Sequence, residues 1–371
     1  MNQKLLHLIE HIANYVFYVE FVVSIFGFIF TLPHLFILTR KSMRTSCTNS
    51  IMMGIAIVDI IVLLEIILNR AYGFWILENP CLNYESYNFE LFLLIGEFLG
   101  DTGERTSFCL GVFLVLIRLI ITKLRGSADS LSSSVFGYIV FILLLILHSL
   151  ISYSFYSTFF LREWPFSWKP NEKCIELPQN YSEKVYIRAS KVDIILFDPA
   201  ECYNFITGLS KIVVSVMYPV LALMLILDIR KSAKTASSLS EKRAKERYHS
   251  GRMILVMTIF YTIASAPGGI ANFIEVYIEI PTDSLLMVIL GQGSIFFQAL
   301  FCFNSASHCL INFSMSTNYR NTVKMAFGFQ KNDVLTVRVW LLFQLRKLFS
   351  GFEKNDKSYE NLTVSIFWET F

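Results

Sequence analysis

Asp59 lies in the middle of an apolar run, in Gly54-Ile-Ala-Ile-Val-Asp59, and nothing near it in sequence neutralises it. In a lipid-spanning helix an ionisable group is costly, so it must face the bundle interior and find partners on other helices, or be protonated. Ser107 and Asn304 stand at matching depth in other apolar runs. Together the three would form a water-bridged or cation-holding cluster. A second set is Asp101, Glu104 and Arg105, joined by Phe108. Asp101 and Arg105 are spaced i,i+4 with the acid first, the order that favours an intrahelical ion pair. Glu104 then has no local partner, and such a cluster facing a cavity offers a ligand its polar anchors. Arg118 follows 13 to 17 residues later, about 20–25 Å along a helix. Arg118 admits two readings, an interfacial side chain reaching for water or a group that changes partners when a protein docks. No His/Glu pair or Ser/Lys pair has a spacing suited to metal or nucleophilic chemistry, and Asp59 lacks a second aspartate. The chemistry expected is binding, not catalysis, with no metal centre and no cofactor.

The elements that must position these residues are seven apolar stretches: Phe17–Leu38, Thr48–Leu68, Phe89–Ile121, Val135–Ser157, Ile206–Ile229, Met253–Val276 and Leu285–Phe313. Each has about the 20 residues that a helix needs to cross a bilayer core. Lipid offers no hydrogen-bond partners, so such stretches fold as helices. The chain is 54% hydrophobic and 16% charged, with mean hydropathy +0.53. A soluble domain is about 25% charged, so a soluble reading is excluded. A net charge of +3 gives no reason to expect nucleic acid. The fold class is an all-α membrane protein, a seven-transmembrane-helix bundle.

Loop charges give the bundle a direction. Arg40, Lys41 and Arg44 follow the first stretch, Lys123 and Arg125 the third, and a basic run from Arg230 to Arg252 the fifth. The opposite loops carry Glu78, Glu85, Glu90, Glu275, Glu279 and Asp283. Basic loops stay on the cytoplasmic side, which puts the N-terminus outside and the C-terminus inside. The expected organisation is an extracellular N-terminus over 1–16, a seven-helix domain over 17–329 and a cytoplasmic tail over 330–371. No cleavable signal peptide is expected, because Arg40-Lys41 follows the first apolar block. Helices five and six are expected to continue past the membrane and turn within Ser232–Arg252, a basic segment suited to a cytoplasmic partner. Ser127–Ser134 offers N-caps to the fourth helix. In the tail, Val334–Phe349 reads as an amphipathic helix on the inner leaflet.

Three cysteines fall on the outer side, Cys81, Cys174 and Cys202, where disulfides persist. Cys81–Cys174 is favoured and Cys202 is the alternative partner. The largest outer loop, Thr158–Tyr203, has Trp/Pro-rich turns near its start (Trp164-Pro165, Trp168, Lys169-Pro170) and holds Asn180-Tyr181-Ser182, a glycosylation acceptor. Pro219 and Pro267, the latter followed by Gly268-Gly269, lie within the fifth and sixth stretches. Each removes a backbone hydrogen bond and kinks its helix.

These residues fall in the order seen in rhodopsin-like G-protein-coupled receptors, and the chain most resembles the nematode serpentine receptor class w, chemoreceptors related to FMRFamide-type peptide receptors. The resemblance rests on Leu38-Thr-Arg-Lys-Ser-Met-Arg44, Gly54 to Asp59, Ile117-Arg118-Leu119, Ala266-Pro267-Gly268, Asn304-Ser-Ala-Ser-His308-Cys309 and Phe313 to Arg320. It implies a sodium or water cluster at Asp59, Ser107 and Asn304, and a G-protein-facing Arg118. Asn304 and His308 would stand where the wider family has Asn and Tyr. Asn312–Phe329 would include a short helix along the inner leaflet. The chain departs from the wider family at several places. Ile117 stands where an acid usually precedes the arginine, and Arg247 stands where helix six would hold that arginine. Ser265 replaces a tryptophan, Leu227 a tyrosine, Thr31 an asparagine and Leu93 a cysteine. Arg118, Arg247 and His308 are the residues expected to take part in G-protein coupling.

The function expected is a multi-pass plasma-membrane receptor that binds an extracellular peptide or small chemical and activates a heterotrimeric G protein. The rival is a transporter or channel using the intramembrane charges as a pathway. The absence of an internal repeat counts against it.

Overall fold

A computed structural model describes residues 3–79, 81–83, 85–123, 129–170, 174, 178, 180–190, 199–236, 241–278 and 285–327. Seven helices among these residues are 23 to 38 residues long: α1 Gln3–Leu38, α2 Cys47–Glu78, α3 Tyr87–Lys123, α5 Ser134–Tyr156, α6 Pro199–Ala236, α7 Glu241–Tyr277 and α8 Leu285–Met315. Two are short, α4 Asp129–Ser132 and α9 Thr317–Phe327. Each long helix contains one of the seven apolar stretches to within a residue. α6 ends at Ala236 and α7 begins at Glu241, so both helices extend into the basic segment, and the expected turn falls outside the described residues. The amphipathic reading of Val334–Phe349 lies outside the described residues.

Local sequence explains several helix ends. The Ser46 side chain caps α2 by accepting from the Asn49 amide, and Ser133 caps α5 by accepting from Phe136. Each satisfies a donor that the first turn leaves open. Pro33, Pro219 and Pro267 lie inside α1, α6 and α7.

Five of the long helices are long and apolar enough to cross a membrane, through His11–Leu38, Cys47–Ile76, Ser134–Tyr156, Glu201–Asp228 and Gln292–Phe313. The apolar run of α3 is interrupted by Glu97, Asp101, Glu104, Arg105 and Arg118. The burial pattern of α5 is that of a helix with an apolar outer face. Its buried residues are Gly137, Val140, His148 and Ser152, while Leu143, Ile146, Leu147 and Leu150 point outward. In water this would be inverted. Small and polar residues at helix contacts with aliphatic ones outside is the membrane pattern.

α3 is the central helix, touching α2, α5, α6 and α7, while α1 packs on both α2 and α8 and closes the bundle. The core is built from Val62, Leu63, Phe108, Val115, Tyr218, Leu225, Tyr261 and Phe301, among others. At Gly137 a Cβ would lie 2.6 Å from the Cys47 carbonyl oxygen, so α5 can approach the start of α2 only without a side chain there.

The loop Thr158–Tyr203 contains structure that the sequence reading leaves as a loop with turns. β1 Phe159–Trp168 and β2 Glu183–Ser190 pair antiparallel, with Phe159 opposite Ser190 and Trp168 opposite Glu183. The register shifts between Glu163 and Ser167, where Pro165 lacks the amide a regular ladder requires. A Cys81–Cys174 disulfide ties the segment between the strands to the α2–α3 connection. Cys202 is an exposed free thiol. The Tyr186 amide donates to the Glu85 carbonyl at 2.8 Å, and Asn83 Nδ2 to the Lys184 carbonyl at 3.1 Å.

Candidate functional site

Buried polar side chains occur at two levels of the bundle, one near the hairpin and one toward Arg118. The hairpin-end set gathers on α3. Arg188 of β2 places its guanidinium on Glu90 at 3.1 Å and Glu97 at 2.7 Å. Burial works against the Arg188 charge, yet these two carboxylates outweigh it and hold the group above its ordinary range. Burial and the nearby Glu90 carboxylate raise the Glu85 carboxyl above the usual carboxylate range.

Asp101 and Arg105 do not form the expected intrahelical pair. Asp101 Oδ2 accepts from the Tyr156 hydroxyl of α5 and from the Tyr203 hydroxyl of α6. Arg105 donates to Ser152 Oγ of α5 and, at 2.8 Å, to Thr207 Oγ1 of α6, with Tyr203 lying under its guanidinium. Ser152 also takes a hydrogen bond from Thr102 at 2.7 Å. The physical reason is burial: a surface-type i,i+4 contact gains little, whereas hydroxyls on two other helices satisfy both groups away from water. Glu104, without a local partner in sequence, meets Lys211 of α6 at 3.1 Å. This pair keeps some exposure, 14% for Lys211 and 21% for Glu104. The Lys211 side chain lies beside Gly268 and Gly269, directly after Pro267 of α7. Phe108 is buried and meets Tyr261 and Phe301 edge-on. It is therefore a core residue beneath the polar set.

Beside that level, Arg70 of α2 donates to Glu20 of α1 at 2.9 Å and to Gln298 of α8 at 3.1 Å. Arg70 thus belongs to the bundle.

The second set centres on Asp59, which is fully buried. Its Oδ1 accepts from Ser107 Oγ at 2.7 Å, as the matching depth implies. Its Oδ2 faces His308 Nδ1 of α8 at 3.2 Å, an ion-pair distance off the angle of a hydrogen bond. The His308 ring stacks on Tyr261 of α7, with centroids 5.4 Å apart, and Tyr261 stacks on Tyr218 of α6 at 5.0 Å. Tyr218 lies within electrostatic reach of the half-buried Arg118. The Tyr261 hydroxyl comes close to Ser107 and Asn304 without hydrogen-bond geometry to either. A continuous file therefore runs from Asp59 through His308, Tyr261 and Tyr218 toward Arg118, drawing on five helices. Gly111 of α3 makes room for it. A Cβ there would stand 2.9 Å from Tyr261 Cζ and 3.1 Å from Tyr218 Cε2.

The surroundings of Asp59 do not fit a resident sodium ion. Hard cations are held by oxygen ligands, whereas here the second carboxylate oxygen meets the edge of an imidazole. Asn304 is buried, and its amide atoms make no hydrogen bond among the described residues. A buried polar group of that kind is suited to water.

With this geometry, residues 18–330 match the family model of the serpentine-type seven-transmembrane G-protein-coupled chemoreceptor Srw. The chain belongs to that family. No curated protein matches it.

Other expected site residues of this Srw receptor can be placed individually. Pro219 directly follows Tyr218, so the α6 proline sits against the aromatic file. Ser265, standing where a tryptophan is usual, donates to the Tyr261 carbonyl and meets Ser215 of α6 at 2.8 Å. Asn180 is an exposed turn residue. Arg247 lies on α7, with its side chain outside the described residues. His34 of α1 contacts the Tyr319 hydroxyl at 2.8 Å, fastening α1 to the first turn of α9. The sequence reading omits Glu20, His34, Lys211, Tyr218 and Tyr261. For Glu20 and Lys211 a signal exists, since each is a charge inside or beside an apolar stretch.

Proposed function

We propose that this Srw chemoreceptor crosses the plasma membrane seven times, binds an extracellular small peptide or environmental chemical, and activates a heterotrimeric G protein. The N-terminus and hairpin face outward, and the basic α6–α7 turn faces the cytoplasm. The observation that carries this reading is the pairing of two levels on the same helices. α3, α6 and α7 contribute the Glu104–Lys211 pair beside Gly268 at one level. The same three helices contribute Tyr218, Tyr261 and the neighbourhood of Arg118 at the other. A ligand that engages Glu104 or Lys211 biases the two arrangements available to α7 at Pro267. A G protein that engages Arg118, Arg247 and the neighbourhood of His308 biases the same equilibrium, so the sites are coupled reciprocally. Asp101 and Arg105 form the wall of the ligand site, Phe108 its floor, and Asp59, Ser107 and Asn304 a water cluster beneath. The receptor acts by binding, not by catalysis.

The test is a library of peptides and small chemicals applied to cells that express the receptor with promiscuous G proteins. Arg118→Ala is expected to abolish the second-messenger response while leaving surface expression intact. A full response in that variant would remove Arg118 from the coupling surface. Orientation has its own check. Asn180→Gln is expected to remove a glycan-dependent gel shift, whereas loss of that shift on Asn361→Gln instead, at the tail acceptor triplet Asn361-Leu-Thr363, would reverse the topology.

A further inference from the structure

The Asp59 cluster departs from the sodium or water site that the rhodopsin-like resemblance implies, and the departure is specific. Asp59 is fully buried, and His308 retains only 4% side-chain exposure. One carboxylate oxygen is engaged by Ser107 at 2.7 Å, and the other stands 3.2 Å from His308 Nδ1. The ring is not free to swing aside, because its face stacks on Tyr261, itself fully buried and stacked on Tyr218. An Nδ1 that carries its hydrogen turns the positive edge of the ring toward the carboxylate without a hydrogen bond, whereas a bare Nδ1 would set two acceptors 3.2 Å apart and repel. The ring edge therefore has the electrostatic sign of a cation and takes the direction from which an ion would approach. A bare carboxylate in lipid-buried protein demands such a counter-group.

We infer that His308 is a built-in counter-group for Asp59 that closes the bundle interior to monovalent cations. Removing the imidazole should open a sodium site made of Asp59, Ser107 and Asn304, all oxygen-bearing side chains. This inference concerns the bundle core alone. Its test uses neither a ligand nor a G protein, so its failure is distinct from failure of the receptor reading.

The experiment is thermal denaturation of purified full-length receptor in sodium chloride and in potassium chloride at equal ionic strength. The wild type is expected to show the same midpoint in both salts. His308→Ala is expected to gain a saturable, sodium-specific rise in midpoint, as any ligand selective for the folded state produces. Asp59→Asn in that background should cancel the rise. A sodium-specific rise in the wild type that Asp59→Asn abolishes would overturn the inference. So would a His308→Ala protein indifferent to sodium. If His308→Ala does not fold, His308→Gln removes the ring while keeping a polar side chain, and the same two outcomes decide.

Discussion

Replacing Arg70 with alanine is expected to destabilise the receptor by about 3–5 kcal/mol, the usual cost of stranding one partner of a buried ion pair. Glu20 has no exposed side-chain surface, and its only described ion-pair partner is Arg70 at 2.8 Å. Gln298 of α8 would lose its donor in the same step, and Phe17 the cation above its ring. α1, α2 and α8 meet at this point, so the loss should be read in the denaturation midpoint of purified protein and in cell-surface yield. Glu20→Gln combined with Arg70→Met should recover most of the stability, because it removes both charges and keeps volume. A single Arg70→Ala variant as stable as the wild type would mean that the pair does not hold these helices together.

Gly111→Ala should cost about 1–3 kcal/mol, the range for forcing a methyl into a packed core. The obstacle is the side chains of Tyr261 and Tyr218, and Tyr261 is fully buried, so neither ring has space to retreat. The expected functional effect is larger than the stability loss. Pushing the rings apart breaks the stack between His308 and the Arg118 region, and agonist-driven signalling should fall together with basal signalling. A Tyr261→Leu partner change removes the obstructing ring. The double variant should then be more stable than the sum of the single losses, the non-additivity of residues in contact. Strict additivity would show that Gly111 is needed for another reason.

The helices were legible because each apolar run imposes helix formation on any backbone in lipid, and all seven runs lie on long helices to within a residue. Their ends were less legible. α1 begins at Gln3 and α7 at Glu241, and hydropathy is blind to helical turns beyond the apolar layer. The hairpin was missed because Trp164-Pro165 reads as a turn, whereas Pro165 sits at a register shift within a strand. Lys184-Val-Tyr-Ile-Arg188 does carry the branched and aromatic residues of a strand. Asp59 with Ser107 could be found from depth alone. Asp101 with Tyr156 and Tyr203 could not, because hydroxyls 55 and 102 residues away carry no mark in the sequence. His308 is marked in the sequence only by standing in a tyrosine's place. Its contact with Asp59 needed the rotation of α8, which hydropathy leaves open.

Under the proposed function, the hairpin also sets what a ligand meets on arrival. Its strands, 10 and 8 residues long, are paired with each other, fastened by Cys81–Cys174, and held to α3 through Arg188. Fixing a backbone costs about 1–2 kcal/mol per residue, and here that loss falls on folding rather than on recognition. A ligand therefore encounters a finished doorway instead of a curtain it must arrange around itself. Affinity keeps more of each contact, while the range of shapes admitted narrows.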